Sequence, residues 1–160
     1  MKIRMATMED LEAIAAIELR CFPIEEAATE EDFKERLTVY PNHFWVMEDK
    51  GKIISFVNGL VTDESILQDK MFEDTKMHDE NGQWQMIFGV NTIPEYRRQG
   101  CAEAIINRVI SDSRVQGRKG LVLTCKEKLL HYYEKFGFKN EGMSQSTHGG
   151  AVWYDMRLTF

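Results

Sequence analysis

Residues 84–110 read WQMIFGVNTIPEYRRQGCAEAIINRVI, and this stretch contains the change of pattern on which the fold depends. Met86 to Val90 form a short apolar run of the length expected for a buried strand, and Pro94 ends it. After Gly100 the apolar residues recur with the period of a helix, at Ala102, Ile105, Ile106, Val109 and Ile110. The stretch therefore predicts a strand, a turn and a helix in direct succession.

The predicted start of this helix has the features of an anion site. The first backbone N–H groups of a helix have no partner within the helix, and the helix dipole adds partial positive charge at the same end. A phosphate satisfies both. Gly100 lets a phosphate approach the main chain closely, Cys101 and Ala102 are small, and Arg97 and Arg98 add formal charge.

Two blocks of sequence carry a resemblance to a known family. Arg97-x-x-Gly100-x-Ala102 resembles the acyl-CoA pyrophosphate loop of the GNAT N-acetyltransferases. Residues 121–138, LVLTCKEKLLHYYEKFGF, resemble that family's next strand and helix and its Tyr-x-x-x-Gly-Phe signature, here Tyr133, Gly137 and Phe138. The resemblance implies a single GNAT domain over residues 1–160. Its fold is α/β (α+β), a mixed central sheet of six to seven strands with helices on both faces.

The same resemblance implies an enzyme that moves the acetyl group of acetyl-CoA to a primary amine by direct attack. Tyr133 matches the family's general acid, because it stands four residues before Gly137. The backbone N–H near Val90 corresponds to the oxyanion donor. The residues implied to bind CoA are Val90, Asn91, Thr92, Arg97, Arg98, Gln99, Gly100, Cys101, Ala102 and Glu103.

The acceptor side is less defined. Residues 17–22, IELRCF, together with Cys125, are similar to arylalkylamine N-acetyltransferases, but Met86 and Phe88 stand where those enzymes carry two histidines. The candidate bases are Glu25, Glu26 and His148, with a water chain as the alternative. Aromatic or apolar surface for the acceptor is expected from Phe22, Pro23, Trp84, Phe88 and Tyr154. We expect a small-molecule or peptide amine, and aminoglycosides, polyamines and protein N-termini stay open.

The composition limits the class of protein and its partners. The chain has 160 residues, 43% hydrophobic and 29% charged, as in an ordinary globular domain. A net charge of −6 argues against nucleic acid as a partner and favours cationic substrates. No apolar run approaches the roughly 20 residues of a membrane helix, and MKIRMATMED lacks a signal-peptide core. We therefore expect a cytoplasmic protein without a membrane partner.

The three cysteines, Cys21, Cys101 and Cys125, are an odd number with spacings unlike a metal site, so we expect reduced thiols and no metal. Cys101 at a helix N-terminus is either a reactive thiol or, as we favour, a small residue tolerated beside phosphate. The main alternative function is a non-catalytic acyl-CoA-binding module of the same fold. A dinucleotide-binding fold is disfavoured because the three-glycine fingerprint is absent.

Local signals predict the remaining elements. Thr7 with Asp10, and Thr29 with Asp32, predict two helix starts with capping boxes. Residues 43–48 and 52–62 are expected to form a hairpin, residues 64–74 a short helix, and residues 74–83 a mobile loop. Alternating apolar residues in 152–160 predict a final antiparallel strand. If exposed, this strand offers a surface for a homodimer.

Overall fold

The computed structural model describes all of residues 1–160. It contains nine strands and four α-helices. In chain order these are β1 Lys2–Met5, α1 Leu11–Cys21, α2 Glu30–Val39, β2 Phe44–Asp49, β3 Lys52–Asn58, β4 Val61–Thr62, β5 Trp84–Ile87, β6 Gly89–Thr92, α3 Cys101–Val115, β7 Gly120–Cys125, α4 Leu130–Glu134, β8 Lys139–Met143 and β9 Tyr154–Thr159. None of the helices combines the length and apolar composition needed to cross a bilayer.

The central strand divides between two sheets. One sheet has the order β1-β2-β3-β6 and the other β4-β5-β7-β9-β8, so β5 and β6 separate at Phe88. β5 pairs in parallel with β7, whereas β6 pairs antiparallel with β3. If β5 and β6 are counted as one central strand and the two-residue β4 is left out, the two sheets together have seven strands, within the six to seven predicted. Beyond Phe88, β6 has no strand partner on its other edge, and a cleft opens there.

Helices cover both faces, as the sequence predicts. Alternate residues of β2 point to opposite sides, because the side-chain period of a strand is two. Trp45 and Met47 pack in the cluster formed with α3, and Phe44 and Val46 pack against α1 and α2. α3 contributes mainly Ile105, Ile106 and Val109.

Both predicted capping boxes are present. The backbone N–H of Thr29 donates to the Asp32 carboxylate at 3.0 Å, and Asp32 N–H donates to Thr29 Oγ1 at 3.1 Å. Thr7 N–H donates to the Asp10 carboxylate at 2.8 Å, although the helix opens with a 3₁₀ turn before α1. These contacts join residues three apart, so local sequence suffices to define them.

Two predictions of local structure are wrong in detail. Residues 64–74 form only a 3₁₀ turn, Asp69–Phe72, and the carbonyls of Phe72 and Ser65 accept hydrogen bonds from the side chains of Arg36 and Arg157. The hairpin's second strand ends at Asn58, after which the chain crosses to the other sheet as β4. Residues 74–83 form a loop, as predicted, which includes a 3₁₀ turn and hydrogen bonds made by His78 and Asp79.

The final strand lies inside its sheet. β9 pairs with β7 on one edge and β8 on the other, in both cases antiparallel. The predicted antiparallel strand is confirmed, but the exposure on which a dimer surface would depend is not found, since alternation indicates a strand without indicating its place in the sheet. β9 therefore offers no free edge for a homodimer.

Candidate active site

A cleft of about 1050 Å³ lies between β6 and β7, where the two sheets diverge. One wall comes from α1, the segment before α2, and β6, and the other from β7, α4 and the loop before β9. The structure brings eleven predicted site residues together in its lining, namely Phe22, Pro23, Glu25, Glu26, Phe88, Val90, Thr92, Arg97, Ala102, Tyr133 and His148.

The main chain of β6 is open towards this cleft. Ile93 N–H donates to Ile54 O of β3 at 3.0 Å, and the direction of peptide groups alternates along an antiparallel strand. Val90 and Thr92 therefore direct their peptide groups away from β3. Thr92 O is used within the protein, by Arg97 Nε at 3.0 Å and Cys21 Sγ at 3.5 Å. The amide of Val90 lies nearer the division of the central strand, where a thioester carbonyl would need a donor.

Gly100 sets the start of α3. It has φ +83°, a left-handed conformation that glycine adopts without strain, and a Cβ added there would meet nothing within 4 Å. Ala104 N–H donates to Gly100 O at 3.0 Å, so the amides of residues 101–103 have no partner within the helix. These amides face open space at Gly100.

The side chains of the loop before Gly100 mainly hold the loop itself. Arg97 Nε donates to Thr92 O, and Gln99 Nε2 donates to Glu95 O at 3.0 Å. Arg98 is exposed and has φ +61°. The main chain and the helix N-terminus therefore supply most of the geometry for an anion.

Cys101 has its side chain in the core rather than in the cleft. It packs with Ile105 in the α3 cluster, and burial raises the pKa of its thiol. The reactive-thiol interpretation is therefore disfavoured, because the thiolate is the reactive form. Cys21, Cys101 and Cys125 are all free thiols.

Tyr133 occupies the opposite wall on α4. It is 8% exposed, lines the cleft, and its ring makes edge contacts with Phe138 at 5.9 Å and Tyr132 at 5.3 Å. Burial raises the pKa of its phenol above the usual value, so the hydroxyl is protonated at neutral pH. Tyr133 is thus both a packed aromatic residue and a protonated donor at the cleft.

The two walls meet on the acceptor side. His148 Nε2 lies 2.8 Å from Glu26 O, and the Glu26 carboxylate pairs with Lys126 Nζ at 2.9 Å. The His148 ring also stacks on Phe72, with centroids 5.0 Å apart. Glu25 is exposed at the rim. Of the predicted bases, Glu26 is therefore held by a lysine and His148 by a backbone carbonyl.

Two aromatic residues predicted for the acceptor pocket lie elsewhere. Trp84 is 6% exposed at the start of β5 and packs on Gly120, with Arg157 over its ring at 4.6 Å. Tyr154 is on β9, opposite Cys125 of β7. Neither lines the cleft, so we leave both out of the proposed acceptor site.

Asn91 has a different place from the one expected. Its side chain is 1% exposed and Nδ2 donates to Glu18 Oε1 at 2.9 Å, so the side chain faces α1 and not a cofactor. Arg98, Gln99, Gly100, Cys101 and Glu103 do not line the cleft either. Any contact of these residues with CoA would lie outside it, at the start of α3.

Glu18 is a cleft residue that the sequence interpretation missed. The residue is 8% exposed, and its carboxylate accepts hydrogen bonds from Asn91 Nδ2 and, at 2.8 Å, from Ala28 N–H. Burial raises the pKa of this carboxyl, opposed by the two hydrogen bonds and by the charges of Arg36 and His148. The sequence did contain a signal for this residue, because Glu18 places a carboxylate on the buried face of α1 together with Ile14 and Ile17.

A second cluster lies outside the cleft. His43 Nε2 and His78 Nε2 both approach the Glu80 carboxylate, at 2.9 Å each. His78 Nδ1 accepts from Val61 N–H at 3.0 Å, so its Nε2 carries the proton and donates to Glu80. Three such groups are typical of a metal site. This tautomer instead favours a hydrogen-bond cluster that anchors residues 78–80.

Comparison with known proteins assigns the family. Residues 11–138 match the model of the Acetyltransferase (GNAT) family. The chain therefore belongs to this family of acetyltransferases. The match includes Arg97 to Ala102 and Tyr133, and it ends at Phe138.

Curated relatives include N-acetyltransferase 8 of Homo sapiens, 29% identical over 104 residues, which are 63% of this chain and 40% of that protein. Serotonin N-acetyltransferase of Mesocricetus auratus is 23% identical over 130 residues, 81% of this chain and 61% of that protein. The chain thus spans less than two thirds of the length of either relative. The second, distant match gives the arylalkylamine branch weak support.

Solved structures share the whole fold. The GphF GNAT-like decarboxylase in complex with isobutyryl-CoA has a TM-score of 0.86 at 18% identity, covering 99% of both chains. Naa20 of Chaetomium thermophilum, in complex with a bisubstrate analogue, has a TM-score of 0.76 at 20% identity, covering 100% of this chain and 87% of that one. The predicted GNAT fold is confirmed.

Proposed function

We propose that this protein is an N-acetyltransferase that moves the acetyl group of acetyl-CoA to a primary amine of a small molecule or peptide by direct attack. One observation supports the proposal: the open main chain of β6, Ala102 in the first turn of α3 and the protonated Tyr133 line the same cleft. Family membership supports the acyl-CoA chemistry.

The acyl donor would be held mostly by main chain. Its diphosphate binds the free amides of residues 98–103, where Gly100 leaves space for it. Its pantetheine arm pairs along Val90 to Thr92 as an added strand pairs with a sheet edge. The thioester carbonyl then lies at the Val90 amide, which donates to the oxyanion.

The reaction forms one N–C bond and breaks one C–S bond. The amine attacks the thioester carbonyl, and the tetrahedral oxyanion accepts a hydrogen bond from Val90 N–H. When the intermediate collapses, the CoA sulfur leaves as a thiolate and accepts the proton of the Tyr133 hydroxyl. The raised pKa of Tyr133 keeps its proton available over the neutral range.

We assign the proton acceptor to Glu18 in preference to Glu25, Glu26 and His148. Glu18 is fixed by two hydrogen bonds, one from Asn91 of β6. Because burial raises its pKa, its carboxylate is a stronger base than a free glutamate. It takes the proton of the attacking amine directly or through one water.

The acceptor pocket has aromatic walls. Phe22, Phe72, Phe88 and Trp153 line the cleft on the side of Glu18 and His148. An amine with an aromatic group fits this lining, and it agrees with the distant arylalkylamine resemblance. Amines without aromatic groups remain within the proposed class.

The competing function is a non-catalytic acyl-CoA-binding module. We would measure release of CoA thiol from acetyl-CoA with a panel of primary amines that includes 2-phenylethylamine, and CoA binding by calorimetry. Amine-dependent thiol release supports the enzyme. Binding without release supports the module, and absence of both contradicts either function.

A further inference from the structure

Arg36 is a buried cation in the wall of the cleft. The residue lies on α2, is 2% exposed, and lines the cleft beside Asn58 and Phe88. Its Nη1 donates to Asn58 Oδ1 at 3.0 Å and its Nη2 to Phe72 O at 2.7 Å. Both acceptors are neutral.

No carboxylate is in salt-bridge contact with the guanidinium of Arg36. None of the protein's ion pairs includes it. Its Nε is buried without any acceptor, and only two of the five guanidinium N–H groups are used. The rings of Phe33 and Phe88 lie 5.1 and 4.8 Å from Cζ. Such contacts recover only part of the cost of burying a charge.

The position of Arg36 relates this charge to the reaction centre. Phe88, whose ring contacts the guanidinium, is the residue at which β5 and β6 separate. The fields of Arg36 and His148 both reach the Glu18 carboxyl. A cationic group therefore stands near the proposed base, on the side of the cleft assigned to the acceptor.

We propose that Arg36 binds a carboxylate of the acceptor, so that the preferred acceptor carries an amine and a carboxylate together, as an amino acid does. This inference rests on the proposed function and deepens it. The amine is directed to Glu18 and the carboxylate to the free N–H groups of Arg36. A planar guanidinium held by Asn58 and Phe72 suits a carboxylate geometrically.

The test compares two ligands that differ only in this group. N-acetyl-L-phenylalanine and N-acetyl-L-phenylalaninamide are the products expected from an aromatic amino acid and its amide, and neither has an ionisable amine. Each is titrated by calorimetry into the full chain saturated with CoA. The variants are Arg36→Met, Arg36→Lys and, as a control, Arg108→Met, which removes an arginine of α3 paired only with Asp112 at the surface.

We expect the wild type to bind the carboxylate about 10- to 100-fold more tightly than the amide, the range for a hydrogen bond to a charged group. Arg36→Met should abolish this preference, Arg36→Lys should retain part of it, and Arg108→Met should retain all of it. Equal binding of the two ligands by the wild type would overturn the proposal. So would binding of neither ligand, or a preference that persists in Arg36→Met.

A carboxylate on the acyl donor is the competing explanation. If the wild type binds malonyl-CoA more tightly than acetyl-CoA and Arg36→Met removes that difference, the acceptor assignment is overturned. Thiol release measured with both L-phenylalanine and 2-phenylethylamine separates the proposed function from the role of Arg36. Turnover of either amine without a carboxylate preference in binding supports acetyl transfer and contradicts the role of Arg36. A carboxylate preference in binding without turnover of either amine supports the role of Arg36 and contradicts acetyl transfer.

Discussion

The position of Gly100 allows a sharp test of the proposed diphosphate site. Gly100 and Gly117 lie at opposite ends of α3, with φ +83° and +81°, and a Cβ at either would meet nothing within 4 Å. A change to alanine therefore has the same steric consequences for the folded chain at both positions. Only Gly100 is next to the amides expected to bind CoA.

The expected loss of stability follows from the backbone angle. A left-handed conformation costs an alanine about 1–2 kcal/mol, and the lower entropy of its unfolded chain returns about 0.4–1 kcal/mol. Gly100→Ala and Gly117→Ala should each lower the free energy of unfolding by about 1 kcal/mol, measured by denaturant titration. In contrast, the methyl group of Gly100→Ala occupies the space of the diphosphate. The Kd of the Gly100→Ala variant for CoA should therefore rise at least about tenfold, which corresponds to about 1.4 kcal/mol of binding free energy.

Calorimetric titration of CoA into both variants gives the comparison. S-acetylpantetheine, which lacks the diphosphate, supplies a further control, because its turnover should be equal in Gly100→Ala and Gly117→Ala. An unchanged CoA affinity in Gly100→Ala would refute the reasoning. The same loss of affinity in both variants would also refute it, since the effect would then come from the helix and not from the anion site.

Three further outcomes are expected. Tyr133→Phe should lower kcat about 100-fold or more with little change in the Kd of acetyl-CoA, whereas Tyr40→Phe, which removes a buried hydroxyl without a partner, should leave kcat unchanged in the thiol-release assay. Glu18→Gln should lower kcat by about 10²- to 10⁴-fold and remove the acidic inflection of the pH profile of kcat/KM. In the wild type that inflection should lie above the pKa of a free glutamate, because burial raises the pKa of Glu18 and activity is lost as pH falls through it. Alkylation at neutral pH, followed by mass spectrometry, should modify the half-buried Cys21 before Cys101.

The glutamine variant is a clean probe for a structural reason. Asn91 Oδ1 is buried without a hydrogen-bond partner. In Glu18→Gln the new amide oxygen can accept from Ala28 N–H, while Asn91 turns its amide so that Oδ1 accepts from the new NH₂ group. The network loses its charge and keeps its hydrogen bonds. Native-like unfolding of this variant would confirm that lost activity reflects the lost base.

The parts of the fold that local sequence predicts are those that local interactions determine. The capping boxes at Thr7 and Thr29, the helix after Gly100 and the turn before Lys52 depend on residues a few positions apart. The two family blocks predicted the cleft residues around Val90 and Tyr133 for a different reason, because they report the arrangement of a known fold.

Other features depend on contacts that no local pattern contains. An apolar run such as 84–90 does not reveal that its two halves pair with different sheets, or that Trp84 packs on Gly120 rather than in the cleft. Residues 64–74 have helical spacing but form only the 3₁₀ turn Asp69–Phe72, and the carbonyl of Ser65, which a helix would use, accepts a hydrogen bond from the distant Arg157. The position of Glu18 in the cleft could not be predicted from local sequence for the same reason, since its hydrogen-bond partners Ala28 and Asn91 lie 10 and 73 residues away.

The proposed chemistry is divided between the two walls of the cleft in a definite way. The amide of Val90 and the side chain of Asn91 belong to the same short strand, and Asn91 holds Glu18. β6 and α1 therefore fix the oxyanion donor and the base relative to one another, independently of the position of the opposite wall. Tyr133 belongs to that opposite wall, and the acceptor-side contact between the walls passes through His148 and Glu26. Small movements of the walls would therefore change the protonation of the leaving thiolate while leaving the geometry of amine attack intact.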